Sequence, residues 1–532
     1  MRFGSYISGY TAMVVLAIWP LAQALLAANW VEESNHKWRS LEVAPSGRPG
    51  FKRLAPSSTG VRFSNQLDLE KSLQNQVYLN GSGVALGDVN GDGRCDIYLC
   101  GLDNPNHLYL NQGDWKFKEA ARAYGVECDG KDSTGAAFAD LNGDGDPDLI
   151  VNTLHSGTLI FRNDREGFSP VHDARSGLAS GRGGMSLAVA DVDADGLMDL
   201  YVTYYRDTTL MDMPNTHFKF RTVGGRRTIS SVDGVPVKGS KFENRFKINE
   251  RGGIEENGLP DVLYRNLGQF RFERNVVGGA RFMTAKGAPM SGTLFEWGLS
   301  VMFRDINRDG QPDIYVCNDF DGLDRFWLNV GQGRFREAPS LALRKTSMFS
   351  MGIDFADIDR DGLDDFLVVD MLNTRHRTRK NQMVPRVQYR SVPGRYNDRP
   401  QRMRNTLFLN RGFGVFSEVA HYAGIAASDW SWCSVFMDVD LDGLEDVLIT
   451  NGVERNARHL DTIISLRKQR ESKEMTKREI LLARRVFPAQ GTANAAFRNL
   501  SGLRFAESAV EWGFDEKDVS HEIGRASCRE RV

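Results

Sequence analysis

Asp140-Leu-Asn-Gly-Asp-Gly-Asp-Pro-Asp148, followed directly by Leu149-Ile-Val151, is the stretch that decides the fold. It carries side-chain oxygens at its first, third, fifth and ninth positions, a glycine at the sixth, and then a short β-branched run. The same pattern, Asp-x-Asp/Asn-x-Asp-Gly-x-x-Asp, starts at Asp88, Asp191, Asp305, Asp357 and Asp438. Each copy is followed by an apolar run such as Ile97-Tyr-Leu99 or Ile314-Tyr-Val316. Apolar segments such as Ala136-Ala-Phe-Ala139 and Val301-Met-Phe303 precede it. Short β-branched and aromatic runs on both sides of a turn predict a hairpin, with the acidic loop joining its two strands.

Successive first aspartates (88, 140, 191, 305, 357, 438) lie 52, 51, 114, 52 and 81 residues apart. A second marker, an apolar pair, an Asn, a glycine-containing turn and a Phe, fixes how the long gaps are read. It occurs at Asn111, Asn163, Asn266, Asn329, Asn410 and Asn499. One marker lies in each long gap, so each gap is one repeat plus an insertion. Insertions are expected at about 204–259, 372–404 and 454–490. A unit of this length holding several short strands predicts an all-β, seven-bladed β-propeller with charged loop or helical insertions. The distance from the marker Asn to the next loop is 28 residues at 163, 329 and 410, which places a seventh loop near position 527.

The ends stand apart from the repeats. Residues 1–24 have a basic start and an uncharged apolar stretch ending in Ala22-Gln23-Ala24, the pattern of a signal peptide. Export, with no further membrane span after cleavage, is the expectation, and 25–59 reads as a linker to a propeller at 60–521. Residues 522–532, EIGRASCRERV, match the in-frame translation of a common sequencing-library adapter. They are expected to be foreign, leaving the last blade truncated. Without Cys528, five cysteines remain (95, 100, 128, 317, 433), too few and too odd a number for a disulfide framework.

The loops point to a hard cation. In order, the candidate ligands are Asp88, Asn90, Asp92, Arg94 and Asp96; Asp140, Asn142, Asp144, Asp146 and Asp148; Asp191, Asp193, Asp195, Leu197 and Asp199; Asp305, Asn307, Asp309, Gln311 and Asp313; Asp357, Asp359, Asp361, Leu363 and Asp365; Asp438, Asp440, Asp442, Leu444 and Asp446. The seventh position of each loop (94, 146, 197, 311, 363, 444) would contribute its backbone carbonyl. Dense oxygen donors without His or Cys suit Ca²⁺ better than Mg²⁺, which keeps water and demands octahedral geometry. The formal net charge of −2 hides this arrangement, because the loops concentrate acid that six Ca²⁺ ions would offset. A metal-free cluster of hydrogen-bonded Asx turns is the plainer alternative.

These repeats resemble the FG-GAP/VCBS repeats of integrin α-chain propellers. The strings Asn80-Gly-Ser-Gly-Val-Ala-Leu-Gly-Asp88 and Asp370-Met-Leu-Asn373 are similar to bacterial relatives of cartilage acidic protein, the ASPIC/UnbV group. The resemblance implies secretion to the periplasm, cell surface or medium, Ca²⁺ binding at about six loops with a seventh expected, and an adhesive or recognition role.

The insertions are the expected recognition surface. The stretch 372–404 carries Arg375, Arg377, Arg379, Lys380, Arg386, Arg390, Arg395, Arg399, Arg402 and Arg404 against Asp398 alone. The stretch 454–487 reads as one or two charged helices with a stripe from Ile463 to Leu482 able to pack on the propeller. An extracellular acidic protein or anionic polysaccharide is the partner these charges imply, and export disfavours nucleic acid. Trp297, Trp327, Trp430 and Trp432 read as core, with sugar stacking as the alternative. His376, His421 and His459 read as surface residues. A Ca²⁺-dependent propeller enzyme such as a polysaccharide lyase is the competing reading, although no nucleophile elbow, zinc motif or phosphate loop is present in the sequence.

Overall fold

The computed structural model describes residues 31–32, 37–38, 47–171, 177–179, 181–249, 252–320, 322–382, 399–412 and 414–524. The predicted signal peptide, most of the 25–59 linker, Cys528, and Arg386, Arg390, Arg395 and Asp398 of the basic insertion lie outside them.

Among the described residues, six sheets built on four antiparallel strands follow one another along the chain as propeller blades. Their first strands are Val84–Gly87, Ser133–Ala139, Gly183–Ala190, Gly298–Arg304, Gly352–Ala356 and Ser431–Met437. Each turns through its acidic loop into a second strand that begins on the loop's ninth residue, as Asp148–Thr153 does. The third strand ends on the marker Asn, and the fourth begins on the marker Phe, as in His107–Asn111 and Phe117–Glu119. Blade 4 gains a fifth strand, Phe282–Met283, parallel to its outer edge.

The largest hydrophobic cluster draws on all six blades, from Leu102, Leu154 and Tyr205 to Leu299, Leu367 and Ile449, and four further clusters are each filled by two neighbouring blades. Leu108 and Tyr98 of blade 1 meet Leu149 and Phe161 of blade 2. Ile150 and Ile160 meet Tyr204 and Tyr264. Tyr201 and Leu263 meet Ile314 and Trp327, and Tyr315 and Phe326 meet Phe366 and Phe408. Alternation along each strand explains this: successive side chains point to opposite faces, and both faces of a blade are covered.

Between blades 6 and 1 lies the segment 518–524. Ser520 donates its N–H to the Asn451 carbonyl (3.0 Å), His521 lies 3.1 Å from the Leu79 carbonyl, and Glu522 accepts from Val84 N (3.2 Å). The predicted seventh loop lies outside the described residues.

Three long segments each join a second strand to a third. Residues 206–261 form the strands Phe218–Val223, Arg226–Val232 and Val235–Pro236, plus a hairpin of Phe246–Ile248 with Ile254–Glu256. The second insertion contains the helix His376–Gln382. The third contains the helices Leu460–Ser472 and Lys477–Ala483. The expected apolar stripe is weaker than its sequence suggests: the first of these two helices buries no residue, Ile464 is exposed, and Leu481 alone is buried on the second. Acidic loops join strands one and two, and insertions join strands two and three. In antiparallel blades these are opposite ends, so the acidic loops occupy one face and the insertions the other.

Among the described residues no helix is long and apolar enough to cross a membrane. Cys95, Cys100, Cys128, Cys317 and Cys433 form no disulfide there.

Candidate metal centres

Every acidic loop is wound by the same hydrogen bonds. The first Asp accepts from the N–H groups of the fifth and sixth residues, as Asp88 does from Asp92 (3.0 Å) and Gly93 (2.7 Å). The fifth residue accepts from the N–H of the seventh: Asp92 from Arg94, Asp144 from Asp146, Asp195 from Leu197, Asp309 from Gln311, Asp361 from Leu363 and Asp442 from Leu444, at 2.9–3.0 Å. This curls each loop back on its first residue. Two left-handed residues make the curl possible. One is the sixth-position glycine, and the other is the fourth residue, which is Gly91 and Gly143 in two loops but Ala194, Arg308, Arg360 and Leu441 in the rest. A non-glycine residue there costs about 1 kcal/mol.

The ninth Asp has a second task that its place in the motif conceals. Asp96, Asp148, Asp199, Asp313, Asp365 and Asp446 are fully buried. In each, one oxygen accepts from the N–H of the loop's second residue and the other from the N–H of the marker Asn. For Asp148 these are Leu141 (3.0 Å) and Asn163 (2.9 Å). Burial pushes these carboxyls up, to about 6 for Asp96, Asp148 and Asp446, about 7 for Asp199 and Asp313, and about 8 for Asp365; neighbouring loop carboxylates add to the rise.

The marker Asn clamps successive blades. The amide nitrogen of Asn163 donates to the Val89 carbonyl of blade 1 (2.9 Å), and Asn266 reaches Leu141, Asn329 reaches Val192, Asn410 reaches Ile306 and Asn499 reaches Ile358 in the same way. Its constant spacing is visible in the sequence; its partner in the preceding repeat is not.

The third position divides the loops in two. In those starting at 88, 140 and 305 it is Asn, and its amide donates to the fifth-position carboxylate (Asn90 to Asp92, 3.1 Å; Asn142 to Asp144, 2.7 Å; Asn307 to Asp309, 3.0 Å). In those starting at 191, 357 and 438 it is Asp. There carboxylates converge: Asp191, Asp193 and Asp199; Asp357, Asp359 and Asp361; Asp438, Asp440 and Asp446 each bring an oxygen within 4.8 Å of one another. These three clusters could hold a metal ion. Asp193, Asp359 and Asp440 each keep a buried oxygen with no hydrogen-bond partner. An arginine from the third-strand end sits against each: Arg265 on Asp193, Arg411 on Asp359 (3.8 Å) and Arg498 on Asp440 (2.5 Å). Motif spacing could not foresee these arginines. Convergent oxygens, some unsatisfied, fit a hard divalent cation.

The tryptophans separate. Trp327 is fully buried and Trp297 and Trp430 nearly so, as core packing requires, and Trp430 and the half-buried Trp432 also line a cavity on the insertion face. His459 caps the helix Leu460–Ser472 by accepting from Thr462 N.

A family model of the FG-GAP-like repeat matches residues 88–151, 140–202 and 305–368. Cartilage acidic protein 1 of Mus musculus is 34% identical over 352 residues, covering 59% of this chain and 51% of the relative. The Homo sapiens protein is 25% identical over 376 residues, covering 60% and 54%. The chain thus spans about half the length of these curated relatives. Mouse integrin alpha-IIb is 33% identical over 156 residues, 24% of this chain and 15% of the integrin. Among solved structures, an Agrocybe aegerita lectin shares 14% identity and covers 79% of this chain and 77% of the lectin, with a TM-score of 0.36.

Proposed function

From a chain that carries FG-GAP-like repeats and is related to cartilage acidic protein 1, we propose a secreted, Ca²⁺-stabilised β-propeller that acts as an adhesion or recognition module. The acidic face supplies the metal sites and the insertion face meets an anionic partner, a glycan or an acidic protein surface. The observation that carries the metal half is the buried, unpartnered oxygen on Asp193, Asp359 and Asp440. A buried carboxylate oxygen without a donor costs several kcal/mol, and Ca²⁺ removes that cost.

An enzymatic reading would need a base in the cavity on the insertion face. The nearest candidate is Tyr78, whose hydroxyl donates to Asp132 (2.8 Å) beside His155 (3.1 Å) and Lys71. Burial and the Asp132 charge push the phenol up, which is opposite to what proton abstraction at neutral pH requires. The recognition reading is therefore preferred.

The test is thermal unfolding in EDTA and in a Ca²⁺ series to millimolar concentration, with Mg²⁺ as control. Sites of extracellular type add about 1 kcal/mol each by mass action, so a midpoint rise of several degrees specific to Ca²⁺ is expected. An unchanged midpoint overturns the metal half. Salt-sensitive retention on heparin resin or on an immobilised acidic protein checks the recognition half.

A further inference from the structure

On the insertion face all three insertions and the segment 65–81 surround one cavity of about 1790 Å³. Small-molecule pockets are typically ~300–1,000 Å³, so this volume suits an extended segment of a larger partner. Its floor is apolar and unusually rich in methionine: Met211, Met348, Met351, Met371 and Met403 line it, with Phe349, Trp430 and Trp432. Thioether side chains adapt to varied apolar side chains, a property of peptide-binding surfaces more than of sugar sites, which fix hydroxyls with rigid polar arrays.

The polar groups ask for an acidic partner. Six arginines line the cavity (Arg379, Arg402, Arg455, Arg458, Arg484, Arg485) against three acids, Asp319, Glu454 and Asp518. Asp319 is engaged, since its oxygens accept from the Tyr205 hydroxyl and Phe320 N. Arg458 lies over the Phe349 ring (3.8 Å), which joins the cationic rim to the apolar floor. Two lining groups have unmet hydrogen-bonding capacity. Gln382 is 1% exposed, and among the described residues neither its amide nitrogen nor its amide oxygen has a partner. Trp430, 9% exposed, has an unpartnered indole N–H. A buried amide with donor and acceptor both free is the complement of one peptide unit.

We propose that this cavity binds an acidic polypeptide segment anchored by apolar side chains, with Gln382 pairing its backbone, the methionines taking its anchors and Arg402 and Arg485 meeting its carboxylates. This rests on the recognition reading above and narrows its partner to a protein.

The experiment is fluorescence anisotropy of the full chain in millimolar Ca²⁺ with a fluorescein-labelled peptide of alternating Glu and Leu. A Glu/Ser peptide, heparin and polygalacturonate serve as comparison arms. The Glu/Leu peptide is expected to bind at least about tenfold more tightly than the Glu/Ser peptide. The double variant Arg402→Glu/Arg485→Glu, two rim positions, is expected to weaken it a further tenfold or more. Gln382→Leu is expected to weaken binding several-fold while raising the unfolding midpoint, because it removes an unsatisfied buried amide. A merely structural Gln382 would move both in the same direction, which counts against its assigned role. Equal binding of both peptides, or no effect of the arginine reversal, overturns the proposal. Binding of heparin or polygalacturonate with neither peptide bound overturns the protein partner and leaves the recognition reading standing. Failure of every probe overturns both.

Discussion

The loops starting at 88, 140 and 305 and those starting at 191, 357 and 438 share a hydrogen-bonded backbone and divide at their third residue, Asn in the first set and Asp in the second. With Asn, the amide donates to the neighbouring carboxylate and the loop satisfies itself. With Asp, that donor becomes another acceptor, three carboxylates converge, and an arginine from the third-strand end lies against the added charge. The first class is therefore able to fold without help, and the second needs a cation, whether a metal or its own arginine. The lesson is that loops matching one motif are not equivalent sites. Ca²⁺ should contribute most where Asp193, Asp359 and Asp440 keep an unpartnered oxygen.

The largest effect should ignore this division. Replacing the ninth Asp leaves two buried backbone N–H groups without acceptors in either class. Asp148→Ala and Asp365→Ala should each cost about 3–5 kcal/mol by denaturant unfolding in EDTA. If either variant unfolds like the parent in EDTA, the ninth Asp acts through metal alone and the two-task description fails.

The next effect should expose the division. Arg498→Met removes the partner of Asp440, whose side chain is 4% exposed, and should cost about 2 kcal/mol in EDTA. In saturating Ca²⁺ the loss should shrink, and loop affinity should rise because the metal no longer competes with the arginine. Arg165→Met, which removes an exposed pairing with Asp146 in an Asn-type loop, should stay within about 0.5 kcal/mol in both conditions. Equal losses for the two variants would erase the distinction.

How much of this was legible follows from what the repeats hold constant. Oxygen donors at positions 1, 3, 5 and 9, the glycine at 6 and the marker Asn are sequence constants, so blades and hairpins could be read from their spacing. What each residue touches across a blade boundary is absent from a one-dimensional period. The reach of Asn163 to Val89, the meeting of Arg498 with Asp440, and the gathering of three distant insertions around one cavity arise only when neighbouring repeats are packed. The stripe on 460–472 is only partly covered, with Ile463 and Leu466 half-buried and Ile464 exposed, because apolar periodicity says that a face can be buried, not how much surface is available to bury it.

The same Asn-for-Asp exchange recurs on the opposite face, immediately before the third strand. Asn106 accepts from Gly101 N and donates to the Tyr98 hydroxyl, whereas in blade 3 Asp261 accepts from Tyr204 N and from the Tyr201 hydroxyl. Burial, with repulsion from Glu296, pushes the Asp261 carboxyl up to about 8. The folded chain then keeps a proton that the unfolded chain releases between about pH 4 and pH 8, so stability falls as pH rises across that window and levels off above it. Asp261→Asn, which copies the blade 1 arrangement, should remove this decline and gain on the order of 1–2 kcal/mol at pH 8 and less at pH 5. A gain independent of pH would mean that the substitution acts through packing.

The smallest effect tests whether loop strain tracks loop class. The fourth residue is left-handed throughout, and it is glycine in two Asn-type loops but Ala194, Arg360 and Leu441 in the Asp-type set. Leu441 adopts φ 58° while half exposed, so it has little packing to offset the strain. Leu441→Gly should therefore stabilise by about 0.5–1 kcal/mol in Ca²⁺, despite the extra entropy that glycine gives the unfolded chain. A loss instead would show that the leucine packs usefully across the loop. The Asp-type sites would then be held in shape by their side chains as well as by their cation.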